Sequence, residues 1–331
     1  MKEIPSRNIA LDLARVTEAA AMAAGRQMGR GNKEAGDQAA VDAMRLVLNS
    51  MKMNGIVIIG EGEKDEAPML FNGERLGTGD PPDVDIAVDP VEGTRLLAQG
   101  RANSVATVAI AERGSMFNPG PMVYMQKLAV GPEAKGGIDL NAPIADNLLA
   151  VAKLKGKDLD DLTVVILDRP RHAALIRDVR KTGARIRLIT DGDVAGALMT
   201  AWPESGIDVC VGIGGTPEGV LAACALRCMG GEIQGRLHPR TEEEAETARA
   251  QGYDLDRVLT IEDLVNSEDV FFSVTGITDG ELLDGVKYSG DGAITHSLVM
   301  RARTGTVREI RAIHRWEKLM ALSRIQYDKN D

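Results

Sequence analysis

The run from 164 to 229 most limits the fold open to this chain. Short apolar stretches at 164–167, 185–189 and 207–211 alternate with helical patterns at 172–181, 194–201 and 218–229. Such alternation predicts βα units with right-handed crossovers and a largely parallel sheet under helices. In sheets of this kind ligands gather outside the carboxyl ends of the strands. The loops at those ends are polar: Asp168-Arg169-Pro170-Arg171-His172, then Thr190-Asp191-Gly192-Asp193, then Gly212 through Gly215 to Glu218. Arg169 and Arg171 suit a phosphate clamp, and Asp191 and Asp193 suit acceptance of hydrogen bonds from sugar hydroxyls. Glu218 opens a helix, either as a partner of the helix dipole or as a metal ligand. Gly212 and Gly214 lack the third glycine of a dinucleotide fingerprint, and no Walker A sequence occurs.

The first part of the chain carries more acids at strand ends. Val84, Ile86 and Val88 alternate as a short strand that stops at Asp89, because Pro90 cannot continue the ladder. Pro90 and Gly93 turn the chain into a helix over 94–99, whose first N–H groups favour an anion. Asp89 and Glu92 thus form a carboxylate pair beside an anion cradle, and carboxylate oxygens suit a hard ion such as Mg2+ or Mn2+. A second apolar strand, 56–59, also ends on an acid, Glu61, set between Gly60 and Gly62. Asp37 stands at the mouth of a helical stripe that includes Ala40, Val41, Met44 and Leu48. It reads either as an N-cap or as a further ligand. An amphipathic helix is expected over 9–28 and another over 147–154, with strands at 103–111, 123–130, 270–275, 293–300 and 306–313. The strand at 123–130 carries Tyr124 and Lys127.

A formal net charge of -10 argues against a nucleic-acid or acidic-membrane surface, so an anionic substrate needs cations beside it. No apolar run reaches the ~20 residues of a membrane span, and no signal peptide is visible, which gives the expectation of a cytoplasmic protein. Cys210, Cys224 and Cys228 read as small core hydrophobes. His172, His238, His296 and His314 show no metal-ligand spacing.

Asp-Pro-Val-Glu-Gly-Thr at 89–94, with Gly-Glu-Gly-Glu at 60–63, resembles the lithium-sensitive, metal-dependent sugar and inositol phosphatase superfamily. The longer blocks at 57–70, Arg-Pro-Arg-His from Arg169, Asp-Gly-Asp from Asp191 and Gly-Ile-Gly-Gly-Thr-Pro-Glu-Gly from Gly212 resemble class II fructose-1,6-bisphosphatases over nearly the whole chain. The resemblance implies a layered α-β-α-β-α sandwich with two mixed sheets. One half, 1–160, would bind metal and phosphate, and the other, 161–331, the sugar phosphate, in one compact catalytic unit. It implies Mn2+ or Mg2+ on Asp37, Glu61, Asp89, Glu92 and Glu218. Substrate would be held by Glu92, Gly93, Thr94, Tyr124, Arg169, Pro170, Arg171, Asp191, Gly192, Asp193 and Gly215. Glu92 stands where much of the superfamily has Asp, a difference of one methylene in the ligand shell.

The activity implied is metal-dependent hydrolysis of the 1-phosphate of fructose 1,6-bisphosphate in gluconeogenesis, by a homo-oligomer (dimer or tetramer). Water would attack directly, positioned by Thr94, with Asp37 or the neighbouring Asp65 taking its proton. Other readings are a broader sugar or inositol phosphatase, sedoheptulose 1,7-bisphosphate included, and a sugar-phosphate sensor without turnover. A second phosphate clamp separates the bisphosphatase from a monophosphatase.

Overall fold

The computed structural model describes residues 8–62 and 70–322. Along the chain come α1 (Ala10–Gly25), α2 (Lys33–Leu48), β1 (Asn54–Ile59), β2 (Arg75–Leu76), β3 (Asp83–Glu92), α3 (Thr94–Ala98), β4 (Val105–Glu112), β5 (Tyr124–Val130) and α4 (Ile144–Lys155). Then follow β6 (Thr163–Leu167), α5 (Ala173–Lys181), β7 (Arg185–Ile189), α6 (Asp193–Met199), β8 (Val209–Gly215), α7 (Thr216–Met229) and β9 (Glu232–Leu237). The last elements are α8 (Glu242–Ala250), α9 (Ile261–Leu264), β10 (Phe271–Gly276), β11 (Lys287–Tyr288), β12 (Gly292–Arg301), β13 (Thr306–Arg315) and α10 (Trp316–Leu322).

The strands form two mixed sheets. The first runs β11-β12-β10-β4-β3-β1-β2 with β13 on β12, and the second runs β7-β6-β8-β5-β9. Side-chain alternation along the strands explains the layering. Val84, Ile86 and Val88 of β3 join a core with α1 and α2, whereas Ala87 points to the opposite face. There, residues of α6 and α7 meet Met125 and Ala129 of β5 and Val165 of β6. Val164 and Ile166 face the third core, built with α4 and α5. The result is the expected α-β-α-β-α sandwich, with α7 between the sheets and touching both. The alanines of α1 let it lie close on the first sheet, and Ala20, Ala21 and Ala24 are fully buried.

In two respects the chain departs from its sequence reading. The second sheet is parallel only where β6 meets β7 and β8; β5 joins β8 and β9 antiparallel to both. The two sheets are interleaved along the chain: β5 crosses into the second and β10 to β13 return to the first. The strand β9 was not expected, since Gly235 interrupts its apolar alternation. Gly235 is there because the Met125 sulfur occupies the space a side chain would need. The three cysteines are buried and unbonded, as their apolar surroundings suggest. Among the described residues no helix is long and apolar enough to cross a membrane.

Candidate active site

The acids of the first and second sheets face one cavity. It has a volume of 330 Å3 and is lined by Asp37, Gly60, Glu61, Asp89, Glu92, Gly93, Thr94, Asp191, Pro217 and Glu218, among others. Glu61 follows β1, Asp89 and Glu92 close β3, and Glu218 lies in the first turn of α7 after β8. Asp37 is not an N-cap. Asn32 holds that place on α2, accepting from the Ala35 N–H at 3.0 Å, and Asp37 lies a turn further on with its carboxyl in the cavity.

The strand β3 does not stop at Asp89. It runs on through Pro90 to Glu92, because Asp89 pairs with Thr107 and Glu92 with Val105, leaving one extra residue in a bulge. Proline is tolerated at such a bulge, where its missing N–H breaks no ladder bond. The Val91 N–H instead donates to Asp89 Oδ1 at 3.1 Å. The bulge brings Asp89 and Glu92 close enough for their carboxyls to share a hydrogen bond. Gly93, at φ 85°, then swings the chain into the short helix α3, a conformation costly for any residue with a Cβ.

Burial and mutual repulsion act together on this ring of acids. Burial pushes Asp37 up, and the neighbouring Glu34 adds to it. Burial, then Asp37 and Glu218, lifts Glu61 to about 8. Asp89 is driven up by burial first, then by Glu92 and Glu61, and Glu92 by burial first, then by Asp193 and Glu218. Glu218 rises by burial first and Asp193 second. A divalent cation relieves all of these at once, and an all-carboxylate set suits a hard one. Among the described residues no three of these groups meet closely enough to hold an ion as they stand.

On the side toward the second sheet the acids meet cations. Lys127 of β5 pairs with Asp193 at 2.5 Å and donates to the Gly215 carbonyl at 3.0 Å. Any Cβ at Gly214 would strike the Asp193 carboxylate, which explains the glycine there. Asp193 is therefore engaged by Lys127, whereas Asp191 opens into the cavity and pairs loosely with Arg95 (3.5 Å) and Arg169 (3.8 Å). Gly192 caps α6 between them. Arg171 donates to the Ile213 carbonyl from both Nε and Nη2, at 3.0 and 2.7 Å, and its guanidinium carbon lies 5.2 Å from the centre of the Tyr124 ring.

Beyond the cavity the match to known proteins is extensive. Residues 7–314 fit the family described as bacterial fructose-1,6-bisphosphatase, glpX-encoded. The chain belongs to this family. It is 47% identical over 321 residues to fructose-1,6-bisphosphatase 1 class 2 of Escherichia coli K12, which covers 93% of this chain and 95% of that protein. Class 2 fructose-1,6-bisphosphatases of E. coli O6:H1 and Shigella flexneri match to the same extent.

This family member also uses residues that its sequence left uncommitted. His172 Nε2 accepts the Ile213 N–H at 2.7 Å, while Nδ1 lies 2.7 Å from the Leu167 carbonyl. The neutral imidazole, kept so chiefly by burial, ties the Arg169-Pro170-Arg171 turn to β6 and β8. Lys127 was visible only as a lysine on a strand, and its partner lies 66 positions away by number, from 127 to 193. Asp65 lies outside the described residues.

Proposed function

We propose that the chain hydrolyses the 1-phosphate of fructose 1,6-bisphosphate to fructose 6-phosphate and phosphate, with Mg2+ or Mn2+ on Asp37, Glu61, Asp89, Glu92 and Glu218. One observation carries this reading: half-buried acids from α2 and from the strand ends of both sheets, with the buried Glu92, converge on a single cavity beside Thr94, with paired arginines just beyond it. A divalent ion bound there offsets the acids and polarises the phosphoryl group toward attack by water.

The chain's own residues do the rest. The Thr94 hydroxyl donates to the Val91 carbonyl at 3.0 Å, which fixes its rotamer and leaves its oxygen lone pairs to accept from the attacking water. Asp37, raised by burial, is the better base for that water's proton, with Asp65 as the second acid of this role. The first N–H groups of α3, at Gly93 and Thr94, receive charge that develops on phosphoryl oxygens. Asp191 and the turn at Gly192 face the sugar, with the Asp193 carboxylate held behind them by Lys127. Tyr124, Gly215 and the Arg169-Pro170-Arg171 turn hold the far phosphate. The reading includes a dimeric or tetrameric enzyme of gluconeogenesis in the cytoplasm, and light scattering reads the subunit number.

The test is phosphate release from fructose 1,6-bisphosphate with Mg2+ or Mn2+ and with chelator, beside sedoheptulose 1,7-bisphosphate, fructose 6-phosphate and inositol 1-phosphate. Metal-dependent release from bisphosphates alone supports both the acid site and the clamp. Comparable release from the monophosphates refutes the clamp, and no release refutes the activity.

A further inference from the structure

The loop after β9 brings a second guanidinium to the ring of Tyr124. The His238 N–H donates to the Tyr124 carbonyl at 2.8 Å, which pins the exit of β9 to the start of β5. Two residues on, the Arg240 guanidinium carbon lies 5.5 Å from the centre of the Tyr124 ring, which also receives the Arg171 guanidinium carbon at 5.2 Å. Neither arginine is loose. Arg171 is held by the Ile213 carbonyl, and Arg240 by Glu244 in the first turn of α8, through Nε at 2.7 Å and through its own backbone N–H at 2.7 Å. Thr241 caps that same turn, so the Arg240 fork is aimed from a fixed base. The side chain still keeps 53% of its exposure.

We propose that Arg240 is a specificity-determining residue that grips the phosphate distal to the scissile one, together with Arg171 and against the ring of Tyr124. The inference rests on the bisphosphatase reading and adds a residue to it. Two guanidinium groups stand at one ring, at one edge of a chain whose net charge is -10, and Glu244 offsets part of the charge of Arg240. His238 is kept neutral by burial and then by Arg171, so the imidazole adds a hydrogen-bonding group without a third charge. A dianion suits this arrangement: the Nε and Nη2 sides are taken by the Ile213 carbonyl and by Glu244, which leaves the Nη1 side of each guanidinium to donate to phosphate oxygens. The ring adjoins the Arg169-Pro170-Arg171 turn that the bisphosphatase reading gives to the far phosphate. From the acid cavity the path runs through Asp191 to Arg169, then along the turn to Arg171 and Tyr124, and reaches Arg240 last.

The experiment compares Arg240→Ala with the unaltered full chain in the metal-supplemented assay. A lost charge-assisted contact corresponds to a rise of about tenfold in KM for fructose 1,6-bisphosphate, with kcat within about twofold. The inhibition constant of fructose 6-phosphate, which carries only the distal phosphate, rises in step. The affinity for fructose 1-phosphate, read as substrate or as competitor, stays unchanged. Arg240→Lys recovers part of the loss, because an ammonium restores the charge without the fork. Equal effects on all three ligands, or none on any, overturn the assignment. Failure of the unaltered protein to release phosphate from the bisphosphate brings down the reading beneath it instead.

Discussion

Replacing Lys127 by Met tests whether the ion pair between the sheets supports the site. The pair is short, at 2.5 Å, and both side chains are enclosed, with 9% and 12% of their surface exposed. Burial alone would pull the Lys127 ammonium below its ordinary pKa, but Asp193 and then Glu218 hold it above. The substitution keeps the volume and removes the charge, so Asp193 stays buried without a partner among acids that it already repels. Breaking a buried pair from one side costs about 3–5 kcal/mol. At roughly 2–3 °C per kcal/mol for a chain of this size, Tm falls by about 6–15 °C. The assay is a thermal and urea melt of four proteins: the parent, Lys127→Met, Asp193→Asn and the double variant. Removing the orphaned charge as well should return part of the loss, with a coupling of about 1–3 kcal/mol. A loss below about 1 kcal/mol in Lys127→Met, or strict additivity in the double variant, would show that solvent screens this pair after all.

Two further outcomes are expected. Thr94→Ala should lose most of the turnover while substrate binding changes little, because the hydroxyl acts on the attacking water; an unaltered kcat removes that role. Glu18, buried on α1 beside Thr295, is lifted by burial from 4.5 to about 7. Its folded pKa is the higher one, so the stability it contributes is complete below pH 4.5 and is lost as pH rises through 7. Glu18→Gln, a neutral mimic, should therefore match the parent near pH 4 and exceed it by up to about 3 kcal/mol at pH 8. A difference that is the same at both pH values contradicts this.

The residues that announced themselves in the sequence were those whose chemistry is local. Asp89, Glu92 and Thr94 sit in one short block, and Glu61 between two glycines marks a strand end without any knowledge of its neighbours. The helices and most strands likewise follow from apolar spacing. What stayed hidden depends on distant partners. Nothing near Asn32 says that it, and not Asp37, would cap α2. Pro90 looked like a terminator because the bulge that accommodates it is defined by β4, not by β3 itself. The antiparallel placement of β5 could not be read either, since an isolated apolar strand carries no mark of its sheet. Lys127, His172 and Arg240 acquire meaning only once β5, β8 and β9 lie side by side.

That exchange of strands also sets the order in which the molecule can come together. A chain still on the ribosome, or a fragment ending near 160, holds β4 without β10, and β5 without β8 and β9. Its three unpaired strand edges and an uncovered apolar face would invite pairing with other chains. Glu61 and Asp89 would be present in such a fragment, but Glu218 would not, so the acid cavity can close only after the middle of the chain has folded over it. A cut at 160 therefore yields no pair of independent modules. If the two pieces are made separately, they should recover ion binding and hydrolysis only when refolded together.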